Sequence, residues 1–111
     1  MGAVVIKKKM TSTDLRMASE DYGDYIKVVV DIETKTMVIG GEWHVDGEKI
    51  LRENGSHQIN LWGGGVDINN HEISYSAMTN IKPGVNNGHV ILDVKTRQQF
   101  DKIVKEKLGY E

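Results

Sequence analysis

Glu42, His44 and Asp46 stand at alternate positions just after a glycine pair, in the stretch Gly40-Gly41-Glu42-Trp43-His44-Val45-Asp46-Gly47. On an extended chain, residues two apart share a face, so this spacing presents an imidazole and two carboxylates to one side. That mixture suits a divalent transition ion, with Glu48 or His57 as a further ligand. Three protein ligands and an open position for water would make a metal-dependent, hydrolase-like enzyme. The same groups also suit general acid–base work, because His44 titrates near neutrality. The bland alternative is a row of solvated polar residues on the outer face of a sheet. A Glu-x-His-x-Asp spacing arises easily by chance.

Nucleophilic chemistry has less to build on. Ser12, Ser19, Ser56, Ser74 and Ser76 lack the glycine-flanked strand-turn-helix elbow that bares a catalytic serine. There is no cysteine, which removes thiolate nucleophiles, thiolate zinc sites and disulfides. Gly63-Gly64-Gly65 is not followed by Lys-Ser/Thr, so it does not read as a phosphate loop. Such a run bends a strand or lets another group approach the backbone.

A binding module is the reading from a second functional class. Trp43 and Trp62 are the only tryptophans, and each lies beside glycine-rich backbone where a ring could stand bare. With Tyr75 they would form a ligand or partner patch. Tryptophan is highly buried on average, so the ordinary expectation for both is core. The loop Pro83 to His89 carries two turn signals, Pro83-Gly84 and Asn87-Gly88. It could make a backbone nest for an anion, with Lys82, Asn86, Asn87 and His89 around it, or be a plain connection.

These side chains must be positioned by strands and helices that the hydrophobic pattern outlines. Tyr25 to Ile32 is a strand rich in branched residues, with Ile26, Val28, Val30 and Ile32 on its core face. Met37 to Ile39 returns beside it as a hairpin. The pattern predicts that this second strand continues past Gly40-Gly41, with Trp43 and Val45 on the core side. Lys49–Glu53 and His57–Val66 read as another hairpin about Asn54-Gly55. Glu72 to Lys82 alternates as a half-exposed strand, broken only at Met78. Ala3 to Lys7 reads as a first strand, ended by Lys7-Lys8-Lys9.

Two helices are predicted. The first spans Thr11 to Tyr22, with Thr11 and Asp14 as a capping box, a stripe of Leu15, Ala18 and Tyr22, and Gly23 as its stop. The last spans Thr96 to Leu108. Thr96 and Gln99 cap it, Phe100, Ile103, Val104 and Leu108 form its apolar stripe, and Gly109 ends it. The order is β-α-β-β-β-β-β-α. This predicts an α+β domain with a mainly antiparallel sheet of about five to six strands and two helices, both on one face.

Length and charge narrow the functional classes. The chain has 111 residues, which fits a single domain over 1–111. Net charge is −2, unevenly spread: residues 1–10 carry +3, residues 11–80 carry −7 and residues 81–111 carry +2. An acidic body with basic ends does not offer the basic face that nucleic acid requires. No apolar stretch approaches membrane length, and no apolar leader stands at the start, so a soluble cytoplasmic protein is expected. A homodimer through a free strand edge is the expected form of self-association.

Three segments together carry a resemblance: VVVDIETKTMVIGGEWHVDGE, the later NGSHQINLWG, and the strand ending NIKPG. Their layout resembles a small uncharacterised prokaryotic family of unknown function with one compact domain per chain. The resemblance covers the chain from the first strand to the final helix. It implies fold and size but no activity. It also implies arginine in the loop after the Ile-x-Pro element, where this chain has Asn86, Asn87, Gly88 and His89. That departure weakens an anion-binding role for the loop. The leading expectation is therefore a small binding or assembly protein without catalytic activity, and the alternative is the metal-dependent enzyme.

Overall fold

The computed structural model describes residues 3–11, 14–16, 24–41 and 43–110. The run Val28-Val29-Val30 lies in strand β2 (Tyr25–Asp31), at the centre of the sheet. Around it stand β1 (Val4–Ile6), β3 (Thr36–Ile39), β4 (Leu61–Asp67) and β5 (Ile73–Ser74), in the order β1-β3-β2-β4-β5. Every pairing is antiparallel. The β2–β3 hairpin sets Val28 opposite Ile39 and Asp31 opposite Thr36. Its turn is tied by Asp31, whose Oδ1 accepts from the Glu33 and Thr34 amides at 2.8 and 3.1 Å. Ser56 Oγ donates to Oδ2 of the same buried carboxylate at 2.5 Å.

Both faces of β2 are buried, which is why its apolar run is unbroken. Ile26, Val28 and Val30 pack with Phe100, Ile103, Val104 and Leu108 of helix α2 (Val94–Leu108). Val29 faces the other way and packs with Val38, Leu61 and Leu51. Leu51 belongs to helix α1 (His44–Glu53). The fold is thus α+β with the antiparallel sheet held between helices, rather than covered on one face as predicted. Among the described residues no helix is long and apolar enough to cross a membrane.

Helix α1 is the main correction. The sequence pattern predicts strand through residues 42–46 and again through Lys49–Glu53. Instead Gly40 and Gly41, at φ 84° and 90°, turn the chain out of the sheet. The Trp43 amide then donates to Asp46 Oδ2 at 3.0 Å, which caps the first turn of a helix. Gly47 lies where α1 crosses the sheet, and a Cβ there would meet Val29 Cγ2 at 3.0 Å. Glycine inside a helix costs about 0.5–1 kcal/mol relative to alanine. Here it allows α1 to approach Val29.

The predicted strand Glu72–Lys82 is also shorter. Only Ile73–Ser74 pairs as a strand, followed by an isolated bridge between Ser76 and Val90. Met78–Asn80 is a 3-10 turn, beginning at the residue that breaks the alternation. The predicted strand from His57 starts later, at Leu61, after a second 3-10 turn at Gln58–Asn60. Helix α2 begins two residues before Thr96. Asp93 caps it, accepting from the Thr96 amide at 2.8 Å and the Thr96 hydroxyl at 2.9 Å. Gly109 closes it at φ 76°, as predicted.

At the first predicted helix, Thr11 and Asp14 form the reciprocal cap, at 2.9 and 3.1 Å, and 14–16 are helical. Ala18, Tyr22 and Gly23 lie outside the described residues.

Candidate functional site

The glycine run of β4 is where three elements meet. A Cβ on Gly63 would lie 2.7 Å from Ala77 Cβ, 3.1 Å from Thr79 Cγ2 and 3.2 Å from His44 Cδ2. The bare backbone therefore lets α1 and the Met78–Asn80 turn draw close over the sheet. Asn80 fixes that turn. Its buried amide accepts from Gly63 N–H at 2.7 Å and donates to Gly63 C=O at 2.9 Å, standing in for a neighbouring strand. It also donates to the carbonyls of Tyr75 and His89, at 3.2 and 2.9 Å.

Between the start of α1 and this turn runs a cleft of about 390 Å³, lined by Trp43, His44, Val45, Glu48, Gln58, Met78 and Thr79. Its rim is apolar and bare. Trp43 is 60% exposed, Val45 61% and Met78 73%. Its floor is polar. Glu48, whose side chain is 16% exposed, accepts a hydrogen bond from the Thr79 hydroxyl through Oε1. Its Oε2 lies 3.9 Å from the Arg52 guanidinium, too long for a hydrogen bond. Gln58 Nε2 donates to Thr79 O at 3.1 Å.

His44 closes one end. Its Nε2 lies 2.6 Å from Gly64 O, and because a carbonyl only accepts, Nε2 carries the proton. Burial lowers the pKa of this imidazole; the bond to Gly64 opposes that, and the charge of Lys27 adds to it. The ring is thereby biased toward its neutral form.

Lys82 lies behind the cleft floor, buried. Its Nζ donates to Gln58 O at 2.7 Å and Thr79 O at 3.0 Å, and stands 4.7 Å from the centroid of the Trp62 ring. Burial pulls its pKa down to about 8, and the Glu48 carboxylate works against that fall.

The residues singled out from sequence are placed as follows. Trp43 is on the cleft rim. Trp62 is 4% exposed and belongs to the core. Asn86 is buried and donates to the carbonyls of Asn80, Gly88 and Val90, at 2.9, 3.0 and 2.9 Å. Asn87 Oδ1 accepts from the Gly84 amide at 3.2 Å. His89 is exposed, and its carbonyl accepts from the Ala77 amide at 3.0 Å. The Lys82 side chain thus ties the two 3-10 turns together, and that of Asn86 ties the loop to its flanking backbone.

Of the proposed metal ligands, Glu42 lies outside the described residues. His44 and Asp46 sit two apart in the first turn of a helix, not on one side of a strand, and Asp46 is engaged in capping. Among the described residues no group of three or more His, Cys, Asp or Glu could hold a metal ion. The sequence reading did not mark Val45, Gln58, Met78 or Thr79 as site residues. The break in alternation at Met78 was the one local signal for the turn that carries two of them.

A family model described as protein of unknown function (DUF5674) matches residues 4–107, and the chain belongs to that family. No curated protein and no solved structure matches it.

Proposed function

We propose that this member of the family is a small binding protein whose working surface is the cleft between α1 and the Met78–Asn80 turn, and that it acts without catalysing a reaction. The observation that carries this reading is the bare rim. Trp43, Val45 and Met78 surround a concave site with a polar floor, whereas Trp62, Phe100 and the valines of β2 are buried. A half-bare tryptophan beside a cavity is the kind of anchor that dominates binding energy when covered.

The polar groups of the cleft support binding rather than turnover. His44 is engaged at Nε2 by Gly64, and Glu48 holds the Thr79 hydroxyl. The free sheet edges favour a partner other than a second copy: β1 has three residues and runs into Lys7–Lys9, and β5 has two. Short edge strands, one of them ended by lysines, disfavour strand addition.

Amide NMR with neutral aromatic and aliphatic fragments tests this reading. Saturable shifts should centre on residues 43–48 and 78–79, and should vanish in Trp43→Ala while the rest of the spectrum is kept. Shifts scattered over the surface, or unchanged in that variant, would remove the cleft as the binding site.

A further inference from the structure

We infer that the occupant of this cleft is an arginine side chain of a partner protein, flanked by an aliphatic residue. The inference rests on the binding reading above and names the chemistry the same surface selects.

Charge complementarity sets the sign. Among the described residues Glu48 is the only acidic side chain lining the cleft, and it is mostly withdrawn from water. A carboxylate has about four acceptor positions, and the hydrogen bond from Thr79 uses one. The remaining capacity points at a donor from outside, because a partly buried carboxylate is poorly served by water. Arg52 does not fill this role, standing 3.9 Å away with its side chain 59% exposed. Lys82 acts on Glu48 through its charge alone, since its Nζ donates to the carbonyls of Gln58 and Thr79, so the hydrogen-bonding positions of the carboxylate stay open. A neutral His44 adds no opposing charge. Residues 11–80 carry −7, a balance that attracts cations to the body of the protein.

Shape chooses arginine over lysine. The Trp43 indole on the rim offers a flat π face, on which a guanidinium stacks while its donors reach a carboxylate. An ammonium group meets the same carboxylate as a point charge and loses the planar match. Val45 and Met78 then provide apolar contact for the arginine stem and for an adjacent aliphatic residue. An anionic partner is opposed by Glu48, and the N-terminal turn of α1 that would attract one is already capped by Asp46.

The test is a set of amide NMR titrations of the intact chain with Ac-Leu-Arg-Leu-NH2, Ac-Leu-Gln-Leu-NH2 and Ac-Leu-Glu-Leu-NH2, alongside the neutral fragments. The arginine peptide should bind about tenfold more tightly than the glutamine peptide or better, as a charge-assisted hydrogen bond implies. Glu48→Gln keeps an acceptor for Thr79 and should bring the arginine peptide down to the affinity of the glutamine peptide, leaving the latter unchanged. Equal affinity for the arginine and glutamine peptides, or tightest binding of the glutamate peptide, would overturn the arginine inference while the cleft stands as a binding site. Loss of every response, fragments included, would overturn both.

Discussion

Lys82 is a charge the fold has taken out of water, and its titration has a definite sign. The folded pKa of about 8 lies below the ordinary 10.5, so between those values the unfolded chain binds more protons. Stability should therefore rise with pH above about 8. Urea unfolding at pH 7.5 and 9.5 should show a gain of about 1–2 kcal/mol in the native chain and none in Lys82→Met. The upper limit stays below the range where Tyr75 begins to act in the opposite direction. Burial, aided by its bond to Asp101, pushes that phenol up to about 12. His44 has the same sense as Lys82 at lower pH. Its folded pKa is depressed below 6.5, so the unfolded chain gains the proton first and stability falls as pH drops through that value. Denaturant midpoints between pH 7 and 5.5 should fall less steeply in His44→Gln, whose amide can still donate to Gly64. An equal fall in both proteins would remove His44 as the cause.

At the scale of elements, the close contacts of β4 with its neighbours depend on missing side chains. A Cβ on Gly64 would lie 2.1 Å from Ser74 O, so Gly64→Ala must push β5 away from β4. We expect a loss of about 3 kcal/mol or more in thermal or urea unfolding, at the upper end of overpacking costs. Asn80→Ala leaves both polar groups of Gly63 without their partner and should cost about 2–4 kcal/mol. It should also speed hydrogen exchange at the Gly63 amide, a local effect that general destabilisation would not single out. The valines of β2 and the stripe of α2 were legible in the sequence, because local periodicity is enough to specify them. Helix α1 was not. Glu42 to Asp46 alternates as well as a strand does, and the helical face is completed by Gly47, whose value is its closeness to Val29, a contact distant in sequence. Trp43, marked in the sequence as a binding candidate, is exposed on the cleft rim. Its partners Val45 and Met78 come together only when α1 and the Met78–Asn80 turn both form. Lys82 and Asn86 resemble ligand-binding groups in sequence, yet their side chains are spent on backbone carbonyls.

For the whole molecule, α1 and α2 lie against opposite faces of the sheet, and the proposed binding surface is on the side of α1. One face carries α2 and the larger core, which includes Trp62. The other carries α1 and opens, beside it, into the cleft. The two tryptophans thus report on opposite parts of the fold. Acrylamide quenching of the Trp62→Phe protein isolates Trp43 and tests the account most directly. Its emission should be strongly quenched in the free protein. It should become protected, in step with saturation, on adding Ac-Leu-Arg-Leu-NH2. A ring already shielded in the free protein, or one left equally open to quencher at saturating peptide, would contradict the claim that Trp43 forms the wall of the binding site.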